Sequence, residues 1–141
     1  MRARPGAGRG RLFEDFRDAE QAYYLRTGFF PIMHLVGVRR ALADAHPWLV
    51  TSVLRAFVEA KRQAMQDLAQ VNFLRVSAPW IAADHEQVRE LMGADYWRYG
   101  VAANRAELEA MTRYAFDEGL TERKLTPEEL FHPATLEAPA V

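Results

Sequence analysis

His34 is the side chain whose surroundings first raise a chemical question. It sits in the apolar run Phe29-Phe30-Pro31-Ile32-Met33-His34-Leu35-Val36-Gly37-Val38, where an ionisable imidazole is costly unless it has a partner or a task. A histidine satisfied inside a core is the plainer alternative. Arg39-Arg40 follows directly. Two adjacent guanidiniums can hold a carboxylate bidentately, or they can simply open a solvated helix. The solvated helix start is the plainer use; ligands of α/β proteins gather beyond the carboxyl ends of strands, so a strand ending at Val38 raises the first use a little. Further on, Asp95-Tyr96-Trp97-Arg98-Tyr99-Gly100 sets three aromatics within four positions. Such a cluster can wall a pocket for a flat ligand, or pin a loop to the core.

Other chemistries find no footing in these residues. His46 and His132 each precede a proline and mark boundaries, and His85-Glu86 lies on an expected exposed helix face. No HExxH or other metal-ligand spacing is visible, so no metal site is assigned. Ser52 and Ser77 lie in no nucleophile-elbow context. With no cysteine, disulfides, thiolate sites and cysteine nucleophiles are excluded. There is no glycine-rich phosphate loop between a strand and a helix.

The bulk composition sets the class. Half of the 141 residues are apolar and 26% are charged, with 18 Lys and Arg against 19 Asp and Glu, the balance of a globular chain. This argues against a strongly basic nucleic-acid binder and against disorder over most of the length. No apolar run approaches the roughly 20 residues of a bilayer span, so no membrane partner is expected. The head, Met1 to Arg11, holds Arg2, Arg4, Arg9 and Arg11 with no acid and no apolar signal region; a disordered basic segment is expected there. The missing cysteines and leader fit a cytoplasmic setting.

The elements that must position these residues follow from periodicity. Leu12 to Arg26 reads as a helix stopped by Thr27-Gly28. The apolar run around His34 reads as a buried strand, because a sheet covered on both faces takes continuous apolar strands. Phe73-Leu74-Arg75-Val76 is the one candidate partner, and so few strands do not make a stable sheet. Arg39 to Ala45 reads as a short helix. Pro47 to Ala69 reads as a long amphipathic helix, with Pro47 at its first position and a stripe of Val50, Val53, Leu54, Phe57, Val58, Met65 and Leu68. Ala83 to Met92 and Val101 to Glu118 read as helices stopped by Gly93 and Gly119, the latter carrying Leu108, Met111 and Ala115 inward. Thr126-Pro127-Glu128-Glu129 opens a final short helix to Phe131, and the tail beyond Pro133 is expected to fray.

Taken in order, several strings carry a resemblance. They are Tyr23-Tyr24, Thr27-Gly28, Phe30-Pro31-Ile32-Met33-His34, Val38-Arg39-Arg40, His46-Pro47-Trp48, Ala56-Phe57, Ala60-Lys61 and Pro79-Trp80. They continue with Leu91-Met92-Gly93, Asp95-Tyr96-Trp97, Tyr99-Gly100, Asn104-Arg105, Gly119-Leu120, Glu128-Glu129-Leu130-Phe131 and Thr135-Leu136-Glu137. The set resembles the C-terminal part of the 4,5-dihydroxyphthalate decarboxylase family, over about Leu12 to Glu137. The pattern departs at Phe29 and at Gly37, where a glycine weakens a strand.

The resemblance implies an α/β fold: the C-terminal portion of a two-lobed type 2 periplasmic-binding-protein-like architecture, here mostly helical with one or two strands. It implies residues 1–11 as a basic head, 12–137 as part of that domain with its N-terminal lobe absent, and 138–141 as a tail. The missing sheet partners would belong to the absent portion, and a bare sheet edge would allow pairing with a second copy. The activity implied is decarboxylation of a small aromatic dicarboxylate without an organic cofactor, in the cytoplasm. Losing CO2 directly would leave an aryl anion, so a general acid must protonate the ring carbon, and cations must orient the remaining carboxylate. His34 is the candidate for proton handling or phenol binding. Arg39 is the candidate carboxylate anchor, with Arg40 second because adjacent strand residues face opposite ways. Trp97 and Tyr99 are candidates to cover the ring. A solute-binding protein for a small anion, without catalysis, and an inactive fragment are the competing readings; product formation separates them from an enzyme.

Overall fold

A computed structural model describes residues 10–70, 72 and 77–137. The chain divides into two units, Met1–Ile32 and Met33–Val141. The division falls inside the run read as a strand.

The first unit contains α1, Phe16–Thr27. It starts four residues later than its periodicity suggests, and Leu12 is almost fully exposed. Its end is as read. Gly28 takes φ 71° and donates to the Tyr24 carbonyl at 2.7 Å, a left-handed cap that only glycine adopts without strain. The Thr27 hydroxyl reinforces the stop by donating to the Tyr23 carbonyl and accepting from the Phe29 N–H.

The second unit is built of helices. They are α2 (Arg40–Ala45), α3 (Pro47–Ala69), α4 (Ile81–Met92), α5 (Arg105–Asp117) and α6 (Pro127–Leu130), with 3-10 turns at Ala102–Asn104 and Pro133–Thr135. α3 is the spine: α2, α4 and the Pro133–Thr135 turn pack on it, and α6 packs on α5. Pro47 occupies the first turn of α3, where its missing N–H costs nothing. α5 ends in a Schellman arrangement. Gly119, at φ 71°, donates to the Phe116 carbonyl at 3.0 Å, and Leu120 donates to the Ala115 carbonyl at 2.8 Å. α6 starts as its residues dictate. The Glu129 carboxylate accepts from the Thr126 N–H at 2.8 Å, and this bond holds the Glu129 carboxyl below its ordinary value. An ion pair from Arg105 to Glu128 at 2.6 Å ties α5 to α6.

Three expectations are corrected. The strand read at Phe30 to Val38 is not formed: among the described residues there is no strand, and the described part of the chain is helical where an α/β segment was expected. The cause is physical. A strand's backbone N–H and C=O groups need a neighbouring strand to pair with, and none is present among the described residues. Leu35 and Val36 are each 61% exposed. The candidate partner Phe73 to Val76 lies outside the described residues, as do most of the basic head and the tail 138–141. Pairing of copies through a sheet edge has no strand to work through among the described residues. Second, of the residues of α5 read as inward, Leu108 is buried and Ala115 half-buried but Met111 is 41% exposed; Ala110 and Thr112 are buried as well. Third, the segment after Pro133 forms a 3-10 turn, fixed by His132, whose Nδ1 accepts from the Ala134 N–H at 3.2 Å.

The buried apolar side chains among the described residues are Ala43, Val50, Val101, Leu108 and Ala110, whereas Trp48, Trp80 and Leu120 are exposed. Among the described residues no helix is long and apolar enough to cross a membrane.

Candidate functional site

The aromatic loop Asp95 to Gly100 lies between α4 and α5, and three neighbouring elements fix it. From α3, the Lys61 ammonium reaches Asp95 Oδ1 at 2.7 Å and lies 5.1 Å from the centre of the Tyr99 ring. From α4, the His85 Nδ1 sits 3.1 Å from the Tyr96 hydroxyl, the two rings meeting edge to face at 5.7 Å. From the turn before α5, the Asn104 amide donates to the carbonyls of Arg98 at 3.0 Å and Gly100 at 2.8 Å. Gly100, at φ 93°, closes the loop in a conformation that side chains disfavour.

The electrostatics of the loop follow from this packing. Burial raises the Tyr96 hydroxyl above its ordinary value, against a weaker opposing effect of the Arg89 charge. The phenol is therefore protonated at neutral pH and available as a hydrogen-bond donor to His85. The Lys61 side chain is only 8% exposed and Asp95 is 47% exposed. The cation is thus largely withdrawn from water while its counter-charge faces it. A cation so placed needs that partner, because a buried charge is tolerated when it is paired.

Asn104 is the buried residue on which the loop turns. Asn104→Ala leaves the Arg98 and Gly100 carbonyls without their donor. The expected cost is about 1–3 kcal/mol, read as a lower urea midpoint with an altered Trp97 environment. A midpoint matching the parent would show that the loop is held by Lys61 and His85 alone.

The residues singled out in the sequence fall into two groups. Trp97 and Tyr99 lie on the same loop, Trp97 at 39% exposure and Tyr99 more sheltered. His34, Arg39 and Arg40 lie on the segment that enters α2, and all three are exposed. Arg39 caps α2 through its carbonyl, which accepts from the Leu42 and Ala43 N–H groups, and Arg40 is the first helical residue. They are not consecutive strand residues, so the argument that placed them on opposite faces falls away. Among the described residues, the side chains of His34, Arg39 and Arg40 make no hydrogen bond or ion pair. Cations at the positive end of a helix are disfavoured by its dipole, so the two arginines do not stabilise α2 through their charge.

Sequence reasoning missed Lys61 and His85. His85 is buried against Tyr96 rather than exposed. Lys61 had a visible signal: it continues the stripe Leu54, Val58, Met65, Leu68 at helical spacing, so a cation occupies an apolar position.

A separate groove of about 720 Å³ runs between α3 and the Pro133–Thr135 turn, lined by Thr51, Leu54, Val58, Pro133, Ala134 and Leu136 with Arg55, Glu59, Arg62 and Glu137 at its border. Hydrogen bonds from Arg62 and Gln63 lower the Glu59 carboxyl to about 2, so Glu59 and Arg62 satisfy each other. None of the five residues singled out above lines this groove. Among the described residues no three His, Asp or Glu side chains are grouped to hold a metal ion.

No family model matches the sequence. Over 127 residues, 90% of this chain, it is 42% identical to a protein of Comamonas testosteroni named 4,5-dihydroxyphthalate decarboxylase. The match covers 38% of that relative's length, so this chain spans well under half of the relative it resembles. The resemblance read from the ordered strings is thereby shown.

Proposed function

We propose that residues 12–137 are part of a carboxy-lyase that removes one carboxylate, as CO2, from an aromatic dicarboxylate such as 4,5-dihydroxyphthalate, leaving a dihydroxybenzoate. The observation that carries this reading is the 42% identity over 127 residues. The two-lobed α/β architecture and the cytoplasmic setting belong to the same proposal, as does the small aromatic carboxylate as partner.

The chemistry explains which residues the reading needs. A proton adds to the ring carbon that bears the leaving carboxylate, and the electrons of the C–C bond return to the ring as CO2 departs. Each leaving carboxylate of 4,5-dihydroxyphthalate has a hydroxyl para to it, and that oxygen stabilises the positive charge of the protonated ring. Phthalate, which lacks the hydroxyls, should bind without being decarboxylated. His34 is assigned the proton donation, or the hydrogen bond to the phenol that raises the ring's basicity. Arg39, with Arg40 as its neighbour, is assigned the carboxylate that remains, through guanidinium hydrogen bonds. Trp97 and Tyr99 are assigned the flat faces of the ring.

The test is a chimera of the Comamonas testosteroni relative in which residues 12–137 of this chain replace the matching stretch. The chimera should convert 4,5-dihydroxyphthalate to a dihydroxybenzoate and leave phthalate unchanged. A folded chimera that binds both and converts neither would favour a solute-binding protein without catalysis.

A further inference from the structure

We propose that Lys61 of α3 is a carboxylate-binding residue beside the aromatic loop, and that Asp95 holds its ammonium group until the carboxylate of an aromatic acid takes Asp95's place. The inference takes only the ligand class from the decarboxylase reading. The placement of the cation comes from the structure.

Three observations carry it. Lys61 stands in the apolar stripe of α3 with its side chain 8% exposed, a position that packing alone would fill with an aliphatic residue. Its counter-ion is the exposed member of the pair, at 2.7 Å. Asp95 is 47% exposed and regains water when it leaves, and the incoming carboxylate keeps the sheltered Lys61 paired. The Tyr99 ring lies 5.1 Å from the same ammonium, so an acid bound there brings its ring to the loop that bears Trp97 and Tyr99. A sheltered cation beside the Tyr99 ring offers the charge and the flat apolar face that an aromatic carboxylate needs.

The loop tolerates the exchange because its other attachments do not pass through Asp95. Asn104 holds the Arg98 and Gly100 carbonyls, and His85 holds Tyr96. Asp95 is therefore one of three fastenings, and its release leaves the other two in place. It also screens the site: a neutral aromatic gains nothing by displacing it, whereas a carboxylate replaces one ion pair with another.

The test uses the 141-residue chain with Trp48→Phe and Trp80→Phe, two exposed tryptophans, so that Trp97 alone reports. Phthalate is titrated at fixed ionic strength and read by tryptophan fluorescence. The expected results are saturable binding, at least a tenfold loss with Lys61→Met, and several-fold tighter binding with Asp95→Asn, which removes the competitor. A purely structural ion pair predicts the opposite for Asp95→Asn: binding weakens in step with Lys61→Met, and that overturns the proposal. Unchanged binding in Asp95→Asn, or no saturable signal in the parent, overturns it as well. If Lys61→Met does not fold, the sign of the Asp95→Asn effect decides alone. Phthalate binding is independent of turnover, so this pattern without CO2 release from 4,5-dihydroxyphthalate would sustain the anion site and remove the decarboxylase reading.

Discussion

His34→Gln in the chimera is expected to lower kcat for 4,5-dihydroxyphthalate by about 100- to 10,000-fold, the usual contribution of a positioned general acid, with a much smaller change in KM. Glutamine keeps a side chain of similar length that can hydrogen-bond, but has no proton to give at the pH of the reaction. The His34 side chain is exposed and, among the described residues, has no hydrogen-bond or ion-pair partner, so the burial cost that first singled it out does not apply and the assignment rests on its place before Arg39 and Arg40. Arg39→Ala provides the contrast. Loss of a carboxylate anchor shows chiefly as a raised KM, because the carboxylate it holds is present in ground state and transition state alike. Equal turnover by the parent and His34→Gln chimeras would remove the proton role and leave His34 at most a phenol-binding group.

Leu108→Ala is expected to destabilise the second unit by about 2–5 kcal/mol. Leu108 is 1% exposed, on the face of α5 that it shares with Thr112. Truncating it removes apolar burial and leaves a cavity in a core with few buried side chains to close over it. Whole domains are stabilised by only about 5–15 kcal/mol, so a loss of this size is a large fraction of the total. Urea unfolding followed by circular dichroism and tryptophan fluorescence would show it as a lower midpoint. Met111→Ala, at an exposed position on the same helix, should move the midpoint far less. Similar shifts for the two variants would mean that the buried face of α5 has been assigned to the wrong residues.

What was legible in the residues was the helical layer. Pro47 to Ala69 forms α3 with the bounds its periodicity and its opening proline suggest. Gly28 and Gly119 end their helices in the left-handed conformation that motivated reading them as stops. Thr126-Pro127-Glu128-Glu129 starts α6. These are local signals, set by backbone sterics and by the first and last turn of a helix, and they need no tertiary partner. The strand around His34 failed for the converse reason. Its apolar composition reports a capacity to be covered, and a strand is made only by hydrogen bonds to another chain segment. Local patterning also misjudged His85, which was placed on an exposed helix face because the Tyr96 side chain that covers it is not visible from the helix alone. Lys61 was hidden in the same way: periodicity counts apolar positions, and a cation inside the stripe is noticed only when Asp95 and Tyr99 are seen around it.

Of the candidate site, the aromatic loop was legible as a cluster, whereas the means of holding it was not. Asn104 figured only in the string Asn104-Arg105, yet its amide binds two carbonyls of the loop. Arg39 and Arg40 kept their interest and changed their setting, from the end of a strand to the beginning of α2.

The most direct measurement is the CO2 evolved per 4,5-dihydroxyphthalate consumed by the chimera carrying residues 12–137, beside the same relative with its matching stretch deleted. The proposed function predicts one CO2 per ring from the chimera and none from the deletion. A folded chimera that binds 4,5-dihydroxyphthalate and releases no CO2 would contradict it.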